Sequence, residues 1–229
     1  MTHRRNISAF ISSLVLSLAL VFTPTDAFAR GKDDKTKADS VALLRGFAVS
    51  VDLVGPAQLL LGDYGQYEAA LHVNLKDKYF PVFEMGLGKA DHTDDITNIT
   101  YNTSAPYFKI GADFNLLKNK HDVYRLYAGV RYAFTSFEYD VSHPGVTDPV
   151  WGNTSAYRAK DVSCSCQWAE FLIGVDAKIW GPLHLGWSVR YRSRISYKEG
   201  DVGTSWYVPG FGRTDSSNIG GTFNVSLDI

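Results

Sequence analysis

The chain has 229 residues, enough for one sizeable domain or two small ones. Its 23 basic and 24 acidic side chains nearly cancel, so net charge gives no support to a nucleic-acid partner. The two cysteines, Cys164 and Cys166, stand one residue apart and by themselves build neither a disulfide framework nor a zinc site.

The first stretch reads as an export signal. His3, Arg4 and Arg5 form a basic start, Ile7 to Phe22 an apolar run, and Ala27-Phe28-Ala29 a small-x-small cleavage site. The apolar run is short and broken by serines, which argues against an uncleaved anchor. Residues 1–29 are therefore expected to be removed, and no cysteine follows to carry a lipid. Residues 30–43, charged and without periodicity, read as a flexible periplasmic arm. Residues 44–229 remain as one domain.

That domain alternates. Apolar and polar side chains exchange at every second position in eight stretches, which is the period of a strand with two unlike faces. Leu44 to Val54 sets Phe47, Val49 and Val51 against Ser50 and Asp52. Gln66 to Leu75 sets Tyr67, Leu71 and Val73 against Glu68 and His72. Tyr79 to Lys89 sets Phe83, Met85 and Leu87 against Glu84. Tyr107 to Leu117 sets Phe108, Ile110 and Phe114 against Lys109 and Asp113. Val123 to Tyr139 sets Leu126, Val130 and Phe134 against Arg125 and Arg131. Trp168 to Trp180 sets Phe171, Ile173 and Val175 against Glu170, Asp176 and Lys178. Leu183 to Tyr197 sets Trp187, Val189 and Tyr191 against Arg190, Arg192 and Arg194. Asn218 to Ile229 sets Phe223, Val225 and Leu227 against Asn224 and Asp228. No segment shows a helical period.

The connections alternate too. Lys76–Lys78, Lys118–Asp122 and Trp180–Pro182 are short. The links 89–106, 140–167 and 198–217 are long and polar, and a medium link spans 55–65. Short and long links thus fall at opposite ends of an up-and-down meander. With strands of about ten residues this predicts an all-β fold, an eight-stranded antiparallel transmembrane β-barrel.

Lipid rather than water is expected outside. The apolar set is rich in large rings, too bulky to fill a small interior, while Gly86, Gly88, Gly111, Gly129, Gly174 and Gly186 share the polar face, where a narrow lumen needs small residues. Tyr79, Tyr107, Tyr124, Tyr139, Trp168, Trp180 and Tyr197 fall near strand ends and suggest an interfacial girdle. An open sheet edge is prohibitive in hydrocarbon, so the sheet must close.

The signal, the eight amphipathic strands, the short and long links and the final "GGTFNVSLDI" resemble the small eight-stranded outer-membrane proteins of the OmpA and OmpX type. Those proteins often end in an aromatic residue, whereas this chain ends in Ile229. "GFAVSVDLVGP" and "YFKIGADFNLL" also resemble Bacteroidota barrels of unknown function. The resemblance implies a bacterial outer-membrane location reached by export. It implies lipid and the barrel-assembly machinery as partners, with a surface ligand or protein at the long loops.

The inward set then holds the candidate site. Arg190, Arg192 and Arg194 form a ladder, with Glu170 and Asp176 expected beside it and Glu68, Glu84, Asp113 and Arg131 farther around the wall. Buried charges must pair. Eight strands leave an interior about as wide as their own side chains, so a packed polar lumen is expected over a pore, with a structural or surface-interaction role.

Two other readings stand beside it. One is a lipid-modifying or solute-handling barrel, with His92, His143 or His184 and a serine as its means; no nucleophile motif surrounds them. The other is a soluble periplasmic lipid-binding barrel. No enzyme activity, cofactor or metal is expected. "DHTDD" (Asp91 to Asp95) has oxygen-rich spacing but lacks a full cation-loop pattern. For Cys164 and Cys166 a strained local disulfide, two free thiols and cross-chain pairing are all open, with the local disulfide favoured. Trp206, Tyr207 and Phe211, in "SWYVPGFGR", are expected either at a loop contact surface or packed with their loop onto the barrel rim.

Overall fold

The computed structural model describes residues 42–147 and 150–229. The expected signal, 1–29, and the arm as far as residue 41 lie outside the described residues. The elements are β1 (Leu44–Asp52), α1 (Val54–Leu61), β2 (Tyr64–Leu75), β3 (Tyr79–Thr93), β4 (Thr100–Asn115), β5 (Tyr124–Thr147), β6 (Thr154–Trp180), β7 (Leu183–Lys198), β8 (Tyr207–Val208), β9 (Gly212–Arg213) and β10 (Ser217–Asp228). Eight of the strands close into a barrel in the order β1-β10-β7-β6-β5-β4-β3-β2. The expected eight-stranded antiparallel barrel is therefore present. β8 and β9 form a two-stranded hairpin of their own within the link after β7.

One end of the barrel is made of tight turns. Lys76 and Asp77 both take φ of 56° between β2 and β3, the mirror-image turn that suits the twist of a hairpin. Asp77 accepts from the Asn74 amide at 2.7 Å and donates its own N–H to Asn74 Oδ1 at 2.8 Å, which offsets the cost of that backbone. Gly181, at φ 55°, turns the chain between β6 and β7.

The strands run farther toward the other end than their apolar stripes do. The 89–106 link shrinks to 94–99, and the 140–167 link is mostly strand, with Tyr139 paired to Val162 and His143 to Tyr157. Beyond the belt the outward positions turn polar while Tyr101, Phe137, Tyr139, Val162 and Cys164 face inward, so the apolar stripe changes face and no longer marks the outer wall. β6, at 27 residues, is more than twice the roughly 9–11 needed to cross hydrocarbon. A further difference is α1, which starts at Val54, the expected end of the first strand, and fills most of the 55–65 link. Nearly all its side chains are apolar, so it has no periodic face to read.

The outer wall carries a continuous apolar belt. On β3 the outward positions from Tyr79 through Phe83, Met85 and Leu87 are exposed and apolar, and the next is Lys89. At about 3.3 Å per residue they cover roughly 26 Å of strand. A tilt of about 40° reduces this to about 20 Å along the membrane normal, somewhat less than the ~25 Å apolar band of membrane barrels. Adjacent strands switch together: Leu87 pairs with Pro106, and Lys89 with Ser104. Phe171 and Ile173, the mid-belt residues of β6, are 48% and 59% exposed.

The expected girdle is only half right. Tyr79, Tyr124 and Trp180 ring the short-turn end on the outside. Tyr107, Tyr139 and Trp168 are buried, because they have the inward parity of their strands, and Tyr197 is half-buried against the last loop.

Candidate functional site: a sealed lumen

Alternation brings the polar set inside, and the register decides which members meet. Glu68 of β2, Glu84 of β3, Asp113 of β4 and Glu170 of β6 converge with Lys109 of β4, Arg131 of β5, and Arg190 and Arg192 of β7, all nearly inaccessible to water. Arg190 Nη1 donates to Glu84 Oε2 at 2.8 Å, to Glu68 Oε1 at 3.1 Å and to Glu170 Oε2 at 3.5 Å. Lys109 Nζ lies 2.8 Å from Glu68 and 3.0 Å from Glu170. Arg131 joins Glu84 at 3.0 Å to Asp113 at 2.8 Å. Arg192 Nε lies 3.2 Å from Glu170. Tyr107 Oη donates to Glu68, and Trp168 Nε1 to Glu170, both at 2.8 Å.

The four cations thus meet four carboxylates with no formal charge left over. Each carboxylate also touches more than one donor, except Asp113, whose partners are Arg131 and, at 3.8 Å, His72. In a dry site this mutual pairing opposes the desolvation of the charges, and it fails when one member is removed. Lys109 Nζ, Arg192 Nε and both Asp113 oxygens rest on ion-pair contact without a well-aligned hydrogen bond.

Toward the long-loop end the hub is capped by the chain's own last loop. Tyr207, Val208, Pro209 and Phe211 are fully buried against Tyr107, Ala133, Phe137, Cys166 and Trp168. Arg192 Nη1 donates to the Phe211 carbonyl at 2.9 Å, so one guanidinium ties the hub to this plug. Tyr207 Oη donates to Gly65 O at 3.1 Å, and Tyr101 Oη to Tyr207 O at 2.8 Å. Gly86 makes room for the layer: a Cβ there would lie 2.4 Å from the Tyr107 ring.

Toward the short-turn end the lumen opens into a vestibule of about 370 Å³, lined by His72, Phe80, Arg125, Asp176, His184 and Asp228 among others. His184 bridges Asp176 at 2.9 Å and Asp228 at 3.0 Å. Arg125 stacks on the Phe80 ring at 3.9 Å and lies 3.9 Å from Asp176.

Several expected neighbours are placed otherwise. Arg190 and Arg192 lie in the hub with Glu68, Glu84 and Glu170, and Arg131 and Asp113 at its edge. Asp176 lies with the vestibule group instead. It is six residues along β6 from Glu170, roughly 20 Å of strand, and parity fixes its face but not its height. Arg194 makes no ion pair among the described residues. A register shift at Gln167/Trp168 sets it opposite Trp168, and it lies over the Tyr197 ring at 5.3 Å.

The expected loop contact surface is overturned for Tyr207 and Phe211, which point into the lumen because they fill its loop-side half. Trp206 is partly buried, stacked on His92 at 4.2 Å. Cys164 and Cys166 are free and buried, not bridged. Lys109, the central ammonium of the hub, was legible only as one more polar-face residue.

The histidines considered for chemistry are otherwise engaged: His92 with Asp63 at 2.7 Å, His143 with the Gly145 N–H at 3.1 Å, and His184 as above. A serine–histidine contact does occur elsewhere, between Ser50 Oγ and His72 Nε2 at 3.0 Å, with Asp113 3.8 Å beyond. Its order copies a hydrolase relay. However, Ser50 is buried mid-strand, paired on both sides to Ala70 and Ser226, which leaves no neighbouring N–H to hold an oxyanion. In "DHTDD", Asp94 Oδ1 accepts the N–H groups of Thr97 at 2.8 Å and Ile96 at 2.9 Å, and these bonds hold its carboxyl below the ordinary range. Among the described residues no group of three or more His, Cys, Asp or Glu is arranged to hold a metal ion.

The chain belongs to the family described as "Domain of unknown function (DUF6048)", whose model matches residues 9–228. No curated protein matches it. Among solved structures it is similar to Neisserial surface protein A, with 12% identity over 81% of this chain and 99% of that one and a TM-score of 0.47. It is similar to CarO2 of Acinetobacter baumannii, with 13% identity over 82% and 99% and a TM-score of 0.40. It is also similar to Ail of Yersinia pestis, solved with the heparin analogue sucrose octasulfate, with 8% identity over 80% and 93% and a TM-score of 0.37.

Proposed function

We propose that this protein spans the bacterial outer membrane as a sealed wall and acts by structure and surface contact, neither conducting solutes nor catalysing a reaction. The observation that carries this reading is the lumen itself. Among the described residues a charge-balanced hub occupies its middle and the β8–β9 loop fills the space above, which supports a closed lumen. The apolar belt supports bilayer lipid as the surrounding medium. Short turns face the periplasm, as in barrels generally, and the long strands project outward.

The surface role is supported by those projections. Among the described residues, β6 from Ser155 to Cys164 has β5 on one side and no strand on the other. An unpaired edge held beyond the belt is a template for an extended segment of a partner.

Two measurements test this reading. Planar-bilayer recordings of the wild-type protein should show no stable conductance steps, and a reproducible open channel rejects the sealed lumen. Ile173→Arg, at mid-belt, should cost about 2–4 kcal/mol of folding free energy in lipid vesicles. Unchanged folding rejects the lipid-facing assignment.

A further inference from the structure

β1 is the shortest wall strand, and it leaves a gap beside β10. The two pair only as far as Asp52 and Asn224, whereas β10 continues along β7 to Ser217. At the last shared level Leu53 N–H donates to Phe223 O at 2.8 Å, and the Phe223 N–H is taken by Asp52 Oδ1 at 3.0 Å. The same parity turns the N–H and C=O of Gly221 and Ile219 toward the missing strand. Among the described residues neither has a hydrogen-bond partner on that side. Gly221 pairs with Val189 and Ile219 with Tyr191, both exposed residues of the apolar wall, so the gap lies within the upper belt. Unpaired backbone in hydrocarbon calls for a polar partner.

α1 stands over this gap and is fixed at its first turn. Asp52 accepts the N–H groups of Val54 at 3.2 Å and Gly55 at 2.9 Å. Gly55 and Gly65 let the helix lie directly on β2, since a Cβ on Gly65 would come within 2.6 Å of Gly55 O. The rest of α1 overhangs the wall, leaving an open groove of about 570 Å³ lined by Leu53, Val54, Ala57, Leu61, Tyr64 and Phe223. Leu60 and Leu61 are 86% and 90% exposed, and Gln58 is the only polar side chain of "VGPAQLLL". A short helix this apolar belongs in a lipid interface, not in water. Leu53 and Phe223 are outward wall residues, so the groove runs without a break into the belt.

We propose that this seam is a lipid-binding site. One bilayer phospholipid lies between α1 and β10, with an acyl chain in the groove and its two ester carbonyl oxygens accepting from the free N–H groups of Gly221 and Ile219. The proposal rests on the membrane-spanning reading above. It makes the lipid part of the wall, completing an edge that β1 is too short to cover.

The test uses the full chain refolded into vesicles of phosphatidylethanolamine and phosphatidylglycerol, extracted in mild detergent and weighed by native mass spectrometry. One retained phospholipid per barrel is expected. Ala57→Trp, which fills the groove, should lower retention at least tenfold, whereas Ile173→Trp on the plain outer wall should leave it unchanged. No retained lipid in the wild type, or equal retention in Ala57→Trp, overturns the proposal. A two-chain mass that Ala57→Trp abolishes gives the groove to a second copy and overturns it too. If Ala57→Trp does not fold, a photocrosslinking residue at Leu61 replaces it; labelling of acyl chains no stronger than from position 173 is then the overturning result. Heat-modifiable gel migration is read in parallel. Failure of the wild type to insert sinks the membrane reading, whereas insertion with groove-independent lipid sinks the seam site alone.

Discussion

The middle and the short-turn end of the lumen hold the same kinds of side chain and use them differently. In the hub, Glu84 and Glu170 are almost wholly inaccessible and each faces at least three cations. In the vestibule, Asp176 and Arg125 lie 3.9 Å apart beside a cavity large enough for many waters, and His184 shares itself between two carboxylates. Pairing in the hub substitutes for water that cannot enter. Pairing in the vestibule competes with water that the open cavity admits. The strength of a charge pair in this barrel is therefore set by its height in the lumen rather than by its chemistry.

Glu84→Ala should show the largest effect. It would strand Arg190 at 2.8 Å, Arg131 at 3.0 Å and Lys109 at 3.7 Å from the lost carboxylate. The expected cost is about 3–5 kcal/mol in urea unfolding from lipid vesicles. Adding Arg190→Met should recover part of it, which a double-mutant cycle would read as coupling. A silent Glu84→Ala means that the hub admits water, and the contrast with the vestibule disappears.

Gly86→Ala should come next. The added methyl group meets the Tyr107 ring and disturbs its hydrogen bond to Glu68. Overpacking of this kind costs about 1–3 kcal/mol. A neutral outcome in the same unfolding assay would show that the loop-side half is loosely filled and that the plug is not a packed layer.

Much of this was legible in the sequence, for reasons that also mark where legibility stops. Lipid on one side and a crowded lumen on the other impose the two-residue period, so Ile173 and Arg190 could be assigned to faces from the letters alone. Parity also determines Tyr107 and Trp168: their position on the strand turns them inward although their ring chemistry suits a girdle. Register is not contained in parity. Asp176 and Glu170 share a face, and only the pairing of β6 with β7 shows that Arg192 sits opposite Glu170. The plug was hidden because aromatic residues in a Gly- and Pro-containing loop read alike whether they fold outward or inward. α1 was hidden because eight nearly uniform apolar residues carry no period.

The smallest expected effect, and the one that sharpens the contrast most, is Asp176→Asn. The substitution keeps the shape and a hydrogen-bond acceptor for His184 while removing the charge that Arg125 sees. Because the vestibule is open, water can take over the lost interaction, as it does for exposed pairs, and the cost should stay below about 1 kcal/mol. Salt supplies the second half of the test. Raising the ionic strength from roughly 0.05 to 0.5 M shortens the screening length from about 14 Å to about 4 Å. The cost of Asp176→Asn should then shrink toward zero, because mobile ions reach the cavity. The cost of Glu84→Ala should barely change, because ions do not reach the hub. Urea unfolding of both variants in vesicles at the two salt concentrations makes the comparison. Should Asp176→Asn cost as much as Glu84→Ala and ignore salt, the vestibule is as dry as the hub, and height in the lumen no longer explains how the charges differ.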